Sequence, residues 1–337
     1  MRVLSVVGNR PQFIKSAPLS VALRDKGIDE VVLHTGQHWD PEMSQIFFDE
    51  LGIPEPAHRL DLRTSDAGAM TPPIREVIEA ERPDWVLVFG DTNSTLAGAH
   101  AAGEEVPVAH VEAGLRSFDL SMPEERNRIE VDRLSALLFC PDERSAAQLE
   151  REGVTGRRLV VGDVMADATR IFEPVAQRLE LPYTQPYTVL TIHRQSNTEP
   201  ERLLAIVDAV NTLDRRFIFP VHPRTRHALE ANGLLLGANV EAVEPLGYLE
   251  MLALVTHAET VVTDSGGLQK EAYWLRVPCV TLRKNTEWVD TVTAGANQLV
   301  EPGNLVDALR STRFPADAPP LYGEGFSAEQ IAEALYP

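Results

Sequence analysis

The sequence predicts an α/β protein with two parallel sheets, each in its own domain. Three observations carry that prediction. Short apolar runs alternate with amphipathic helical patterns along the chain, the mark of βα units and a parallel sheet. The series restarts after a Pro-rich stretch around Pro174–Pro186. At 337 residues, 44% of them apolar, the chain is long for one core and comfortable for two.

The elements follow in order. Candidate strands of the first half are Arg2–Val7, Val31–His34, Trp85–Phe89, Val106–Val111, Leu137–Cys140 and Leu159–Val161, with helices such as Phe13–Arg24 and Thr95–Gly103 between them. The second half offers Thr188–Ile192, Phe217–Pro220, Val240–Ala242, Thr260–Val262 and Cys279–Leu282. A last helix around Ala328–Leu335 is expected to pack back on the first domain. The expected domains are therefore 1–168 plus 322–337, and 169–321. Two such halves place the carboxyl ends of their strands around a crevice.

Charge and cysteine content narrow the function classes. Lys and Arg number 31 against 50 Asp and Glu, a net charge of −19. Such a surface repels phosphate backbones, so neither nucleic acid nor an anionic membrane is an expected partner. A diphosphate remains compatible where basic groups and backbone N–H donors converge. Cys140 and Cys279 lie in apolar runs and read as buried thiols, not a disulfide framework. No run approaches 18 apolar residues, and MRVLSVVGNRP has no cleavage site, so the expected location is the cytoplasm.

The chemically loaded residues sit at strand ends. In VVGNRPQFIK, Gly8 permits a tight turn, while Arg10 and Lys15 flank a helix start as an anion site. The competing reading is a βα turn with surface cations. In FGDTNST, Asp91 follows a strand directly; an ordinary N-cap is its alternative role. In HVEAGLRS, Glu112 leaves an apolar strand beside Asp91; an ion pair from Arg116 to either acid is the competing structural explanation. In SMPEERNR, Ser121 and Glu124 have capping-box spacing, yet Glu124 and Arg128 share a helix face that excludes Glu125. His193 in TIHRQSN and His222 with Arg224 in FPVHPRT end strands of the second half. In VVTDSGGLQKEA, Gly266 and Gly267 open a helix after Asp264 and Ser265, a turn suited to a diphosphate, with Glu271 expected in the opening turn near a ribose. The alternative there is a tight capped turn. His34 and His38 in HTGQH lack neighbouring acids, and no HExxH, paired CxxC, Walker lysine loop or GxGxxG occurs.

Ten segments in order, GNRPQFIK, HTGQH, FGDTNST, HVEAGLR, MPEERNR, VGDVMADA, HRQSN, VHPRT, TDSGGLQKEA and VPCVTLR, resemble the non-hydrolysing UDP-N-acetylglucosamine 2-epimerase family. The resemblance implies two Rossmann-like domains in a glycosyltransferase-B-like arrangement, an active site in the interdomain cleft, and a homodimer. It implies Asp91, Glu112, Glu124 and His193 as catalytic residues, and Arg10, Lys15, Ser265, Gly266, Gly267 and Glu271 as residues that hold UDP. It implies neither a metal nor NAD. The implied reaction expels UDP from C1 while the C2 proton leaves, giving a 2-acetamidoglucal, and then re-adds UDP with protonation on the opposite face. Proton transfers on two faces call for more than one acid or base.

Departures from the family pattern bear on the substrate. RPQFIK stands where many members have RPEAIK, and Trp288 in TEWVDT stands where they have an Arg near the nucleotide. Met251 occupies a position often held by Phe. Trp39 and Asp40 alter a segment linked to allosteric activation by substrate. RPQFIK with TEW resembles the branch acting on UDP-2,3-diacetamido-2,3-dideoxyglucuronic acid, while VGYLE-, HPRT- and VPC-like segments resemble archaeal-type N-acetylglucosamine epimerases. The expected substrate is UDP-N-acetylglucosamine, with that uronate as the alternative. A hydrolysing relative and a glycosyltransferase of the same architecture are the more distant readings.

Overall fold

The computed structural model describes residues 1–37, 48, 50–183 and 186–336. Its strands form two sheets, parallel at every pairing. The first contains β1 (Arg2–Val7), β2 (Asp29–His34), β3 (His58–Arg59), β4 (Trp85–Phe89), β5 (Val108–Val111), β6 (Leu137–Cys140) and β7 (Arg157–Val160), in spatial order β3-β2-β1-β4-β5-β6-β7. The second contains β8 (Thr188–Thr191), β9 (Phe217–Pro220), β10 (Val240–Val243), β11 (Thr260–Thr263), β12 (Cys279–Thr281) and β13 (Asn297–Leu299), ordered β10-β9-β8-β11-β12-β13. The second order repeats that of the first six strands, and the first sheet adds β7 at its edge.

Helices cover both faces of a parallel sheet, so its inner strands read as unbroken apolar runs. Val3, Leu4, Val6 and Val7 of β1 and Val86 to Phe89 of β4 are all fully buried. Edge strands read differently. Arg157 and Arg158 on β7 and Glu241 on β10 are exposed, and charge on an edge discourages pairing with another chain. The two strands that the apolar pattern does not predict, β3 and β13, are also edges. One has two residues and the other contains Asn297 and Gln298, too short and too polar to show a period.

The chain divides into two compact units, Met1–Arg170 with Tyr322–Pro337, and Ile171–Leu321. In the first, the Ser327–Leu335 helix packs on the Arg10–Asp25 helix. The Asp167 carboxylate caps it, accepting from Ser327 N at 3.1 Å and Ala328 N at 2.8 Å. Strand order reverses once in each sheet, between β1 and β4 and between β8 and β11. Connections leave opposite faces there, which opens a ligand crevice beyond the carboxyl ends.

Candidate active site

In the first unit the loops after β1 and β4 are built for close approach. A Cβ on Gly8 would come within 2.2 Å of both Ser94 Oγ and Thr35 Oγ1, so glycine alone fits. Asn9 caps the helix that Arg10 begins, accepting from the Gln12 amide. Gln12 then ties the two loops together. Its Oε1 accepts from Gly8 N at 2.8 Å, and its Nε2 donates to Phe89 O at 3.0 Å and Thr95 Oγ1 at 2.9 Å. A carboxylate has no hydrogen to donate. The Gln of RPQFIK is thus matched to this cross-link.

The two strand-end acids converge on one cation. Glu112 Oε1 lies 3.2 Å from Nη2 of Arg128, and Asp91 Oδ2 accepts from the same nitrogen. Nη1 of that guanidinium donates to the Glu112 carbonyl. Burial alone would lower the Arg128 pKa, but the charges of Asp91, Glu112 and Asp132 outweigh it and hold it above the ordinary value. Lys15 Nζ meets the other Glu112 oxygen at 2.7 Å, with both side chains buried. Its charge is therefore engaged by an acid. Gly90 makes room for the pair: a Cβ there would lie 3.2 Å from Lys15 Nζ and 3.6 Å from Glu112 Oε1.

Backbone strain marks the same place. Glu112 has φ 72°, a left-handed conformation that costs a non-glycine residue about 1–2 kcal/mol. The surrounding bonds must hold it. Asp91 is not a helix cap; Thr92 fills that role in a capping box with Thr95. Asn127 Nδ2 donates to the Asp91 carbonyl at 3.0 Å and steadies the loop.

Two readings of the neighbouring segments are corrected. Arg116 pairs with neither Asp91 nor Glu112: it meets Asp132 at 2.7 Å and Glu152 at 2.6 Å. No Ser121–Glu124 capping box forms, because the N-cap is Met122 and the Ser121 hydroxyl donates to Asp119 at 2.6 Å. Glu125, not Glu124, is the buried acid of the pair, accepting from Ser117 N and Oγ and from Phe118 N. Glu124 is exposed, one helical turn before Arg128. The role of Arg128 went unassigned in the sequence, although its place one turn after Glu124 was the available signal.

In the second unit the centre is Asp264, fully buried after β11. Its carboxylate accepts from His193 N at 3.1 Å, Arg194 N at 2.9 Å and Asn197 Nδ2 at 3.0 Å, and lies 3.0 Å from His193 Nδ1. Burial alone would raise its pKa; the bonds from His193, Asn197 and Arg194 outweigh that and keep it below the usual range. Held at Nδ1, the half-exposed His193 ring turns Nε2 away from the carboxylate. Arg224 Nη1 donates to His193 O at 3.1 Å, and the His222 ring lies 5.9 Å away, centroid to centroid.

Ser265 caps the helix Gly266–Trp274, accepting from Leu268 N. Gly266 and Gly267 are its first residues, and neither has positive φ. A Cβ on Gly267 would meet only Ser265 Oγ, at 4.0 Å; one on Gly266 would find Trp288 Nε1 at 3.4 Å. Folding alone does not require glycine at 267, although each glycine in a helix costs about 1 kcal/mol relative to Ala. Neither sterics nor φ explains glycine at 267, while the Ser265 cap is the capped turn of the alternative reading. Glu271 is buried in the second turn of the helix, not the opening one. Trp288 is buried beneath the Lys270 ammonium, which lies 3.7 Å from its ring centroid.

In HTGQH, His34 is buried and its Nδ1 accepts from Gly36 N at 2.8 Å. His38, Trp39 and Asp40 lie outside the described residues. Among the described residues there is no group of three or more His, Cys, Asp or Glu placed to hold a metal ion, and no helix is long and apolar enough to cross a membrane.

Comparison with known proteins places the chain in a family. A family profile described as UDP-N-acetylglucosamine 2-epimerase matches residues 21–336. The chain is 44% identical to the UDP-2,3-diacetamido-2,3-dideoxy-D-glucuronate 2-epimerase of Pseudomonas aeruginosa, over 99% of each chain. It is 45% identical to a UDP-N-acetylglucosamine 2-epimerase homolog of Methanococcus maripaludis, again over 99% of each. Among solved structures, the UDP-GlcNAc 2-epimerase of Methanocaldococcus jannaschii in complex with UDP-GlcNAc and UDP superposes with a TM-score of 0.89, at 39% identity and 99% coverage of both chains.

Proposed function

We propose a reversible C2 epimerisation of a UDP-linked N-acetylhexosamine, starting from the fact that the chain belongs to the UDP-N-acetylglucosamine 2-epimerase family. One observation carries the proposal: Asp91 and Glu112, from adjacent strand ends, share one nitrogen of the buried Arg128. Carboxylates held at strand ends are the usual groups for proton transfer to and from a substrate. Asp91, Glu112 and Glu124 are assigned to proton transfer at C2, in both directions and on both faces.

The C2 hydrogen is not next to a carbonyl, so its removal needs a leaving group. The C1–O bond to UDP breaks with its electrons on the diphosphate, the C2 proton passes to a carboxylate, and C1=C2 forms. UDP then adds back to C1 while a proton reaches the other face of C2. The departing diphosphate is assigned to Arg10, Ser265, Gly266 and Gly267, the ribose to Glu271, and an electrostatic role at the leaving group to His193. Lys15 is assigned with them to the UDP moiety, and from there its ammonium also reaches Glu112.

UDP-N-acetylglucosamine is the first substrate proposed, supported by the archaeal structure with that ligand. The Pseudomonas relative supports UDP-2,3-diacetamido-2,3-dideoxyglucuronic acid as the second. A homodimer working in the cytoplasm completes the reading, and light scattering tests the dimer. The deciding experiment is NMR in heavy water with each sugar nucleotide in turn. The expected result is the manno epimer with deuterium at C2. Release of free N-acetylmannosamine would identify a hydrolysing enzyme, and an unchanged C2 with both sugars would end the proposal.

A further inference from the structure

Behind the turns that carry the acids of the first unit lies a second layer of buried polar groups. His110 on β5 and Asp132 on the Pro123–Leu134 helix are both fully buried. His110 Nε2 donates to the Gly90 carbonyl at 2.7 Å, and its Nδ1 lies 2.8 Å from Asp132 Oδ1. Asp132 Oδ2 accepts from Gly114 N at 3.3 Å and pairs with Arg116 at 2.7 Å, and Arg116 continues to Glu152. The chain thus runs from the turn before Asp91 to the turn after Glu112.

Those two turns have the least ordinary backbone of the site. Gly90 has φ 67°, Glu112 φ 72° and Gly114 φ 82°. A Cβ on Gly114 would fall 2.4 Å from Ser145 O, so that turn has no slack. Strained conformations persist where surrounding bonds over-determine them. The Gly90 carbonyl and the Gly114 N–H face the same ion pair from opposite sides. We propose that the His110–Asp132 pair is a positioning element that locks both acid-bearing turns, and hence the spacing of Asp91 and Glu112. It acts through the backbone, and it rests on the proposed assignment of those acids.

The core of the pair is the donor to Gly90, and glutamine can carry a donor on its Nε2 while phenylalanine cannot. His110→Phe is expected to lower kcat about 100-fold, the scale of a small misplacement of reacting groups, with KM and the affinity for UDP within about threefold. His110→Gln is expected to recover at least about tenfold of that loss. Asp132→Asn is expected to follow His110→Phe, and it replaces that variant if His110→Phe does not fold.

A second readout does not depend on turnover. Hydrogen exchange of peptides covering residues 89–92 and 112–115 is expected to quicken together in His110→Phe and in Asp132→Asn. Peptides around β11 are expected to stay unchanged. Wild-type kcat in both variants overturns the proposal, as does loosening of only one turn, or an equal loss of UDP affinity. A wild-type chain inactive on both sugars would sink the proposed reaction instead, while coupled exchange of the two turns would still stand.

Discussion

β4, with β5 beside it, and β11 follow the central strand in sheets whose first six strands share one order, yet their carboxyl ends are built in opposite ways. In the first unit side-chain charge is concentrated: two acids and two cations pack together on a bent backbone. In the second, Asp264 turns its charge inward to the His193 loop, and the half-buried Gly266 and Gly267 open a helix with unstrained backbone. On the proposed assignment the difference separates two tasks. Proton transfer needs ionisable groups at fixed distances, whereas holding a diphosphate needs donors that nothing else covers.

The strongest way to break this comparison is to remove the cation that the acids share. Arg128→Met leaves buried carboxylate charge poorly compensated and is expected to lower stability by about 3–5 kcal/mol, read from denaturant unfolding. A loss below the surface ion-pair range, about 1 kcal/mol, would mean that the charges of the first unit are not interdependent. Next in size, Asp91→Asn, Glu112→Gln and Glu124→Gln are each expected to slow turnover by about 100-fold or more, with UDP binding by calorimetry unchanged. Wild-type turnover in all three removes the acid–base assignment. Glu124 is the sharpest of these tests, because it is exposed while the other two are held by Arg128.

The second unit predicts a change of opposite sign in two measurements. Gly267→Ala is expected to raise stability by about 0.5–1 kcal/mol, because Ala suits a helix better and restricts the unfolded chain. It is also expected to weaken UDP binding about tenfold, or about 1.4 kcal/mol. A variant that melts earlier and binds UDP normally would make the glycine structural after all.

The smallest expected effect contrasts two buried carboxyls. Burial pushes Asp167 up to about 6, against the N–H bonds from Ala328 and Ser327. A pKa raised in the folded state adds stability at low pH that is lost as pH rises through 6, on the order of 1–3 kcal/mol. Asp264 is shifted the other way, so its contribution is present above the ordinary carboxyl pKa and fades as pH falls below it. Exchange at Ser327 and Ala328 is expected to be slower at pH 5 than at pH 7 after correction for intrinsic rates, and Asp167→Asn to flatten that dependence. The same rate at both pH values in the wild-type chain would contradict the Asp167 shift.

What the sequence determined by itself is what neighbours along the chain encode. β1, β4, β6 and β9 begin and end where their apolar runs do, because a strand buried on both faces must be apolar throughout. The order of motifs at strand ends identified the family for the same local reason. Tertiary structure decided the pairings. Lys15 meets Glu112 across most of the first sheet's sequence, Arg128 and not Arg116 takes the two acids, and Asp264 binds the His193 loop from far along the chain. Nothing in a residue's own segment says which distant charge will face it, since that depends on how strands order themselves in the sheet. The short edge strands β3 and β13 were hidden for a related reason: their place is set by a neighbouring strand's unpaired edge, not by a pattern of their own.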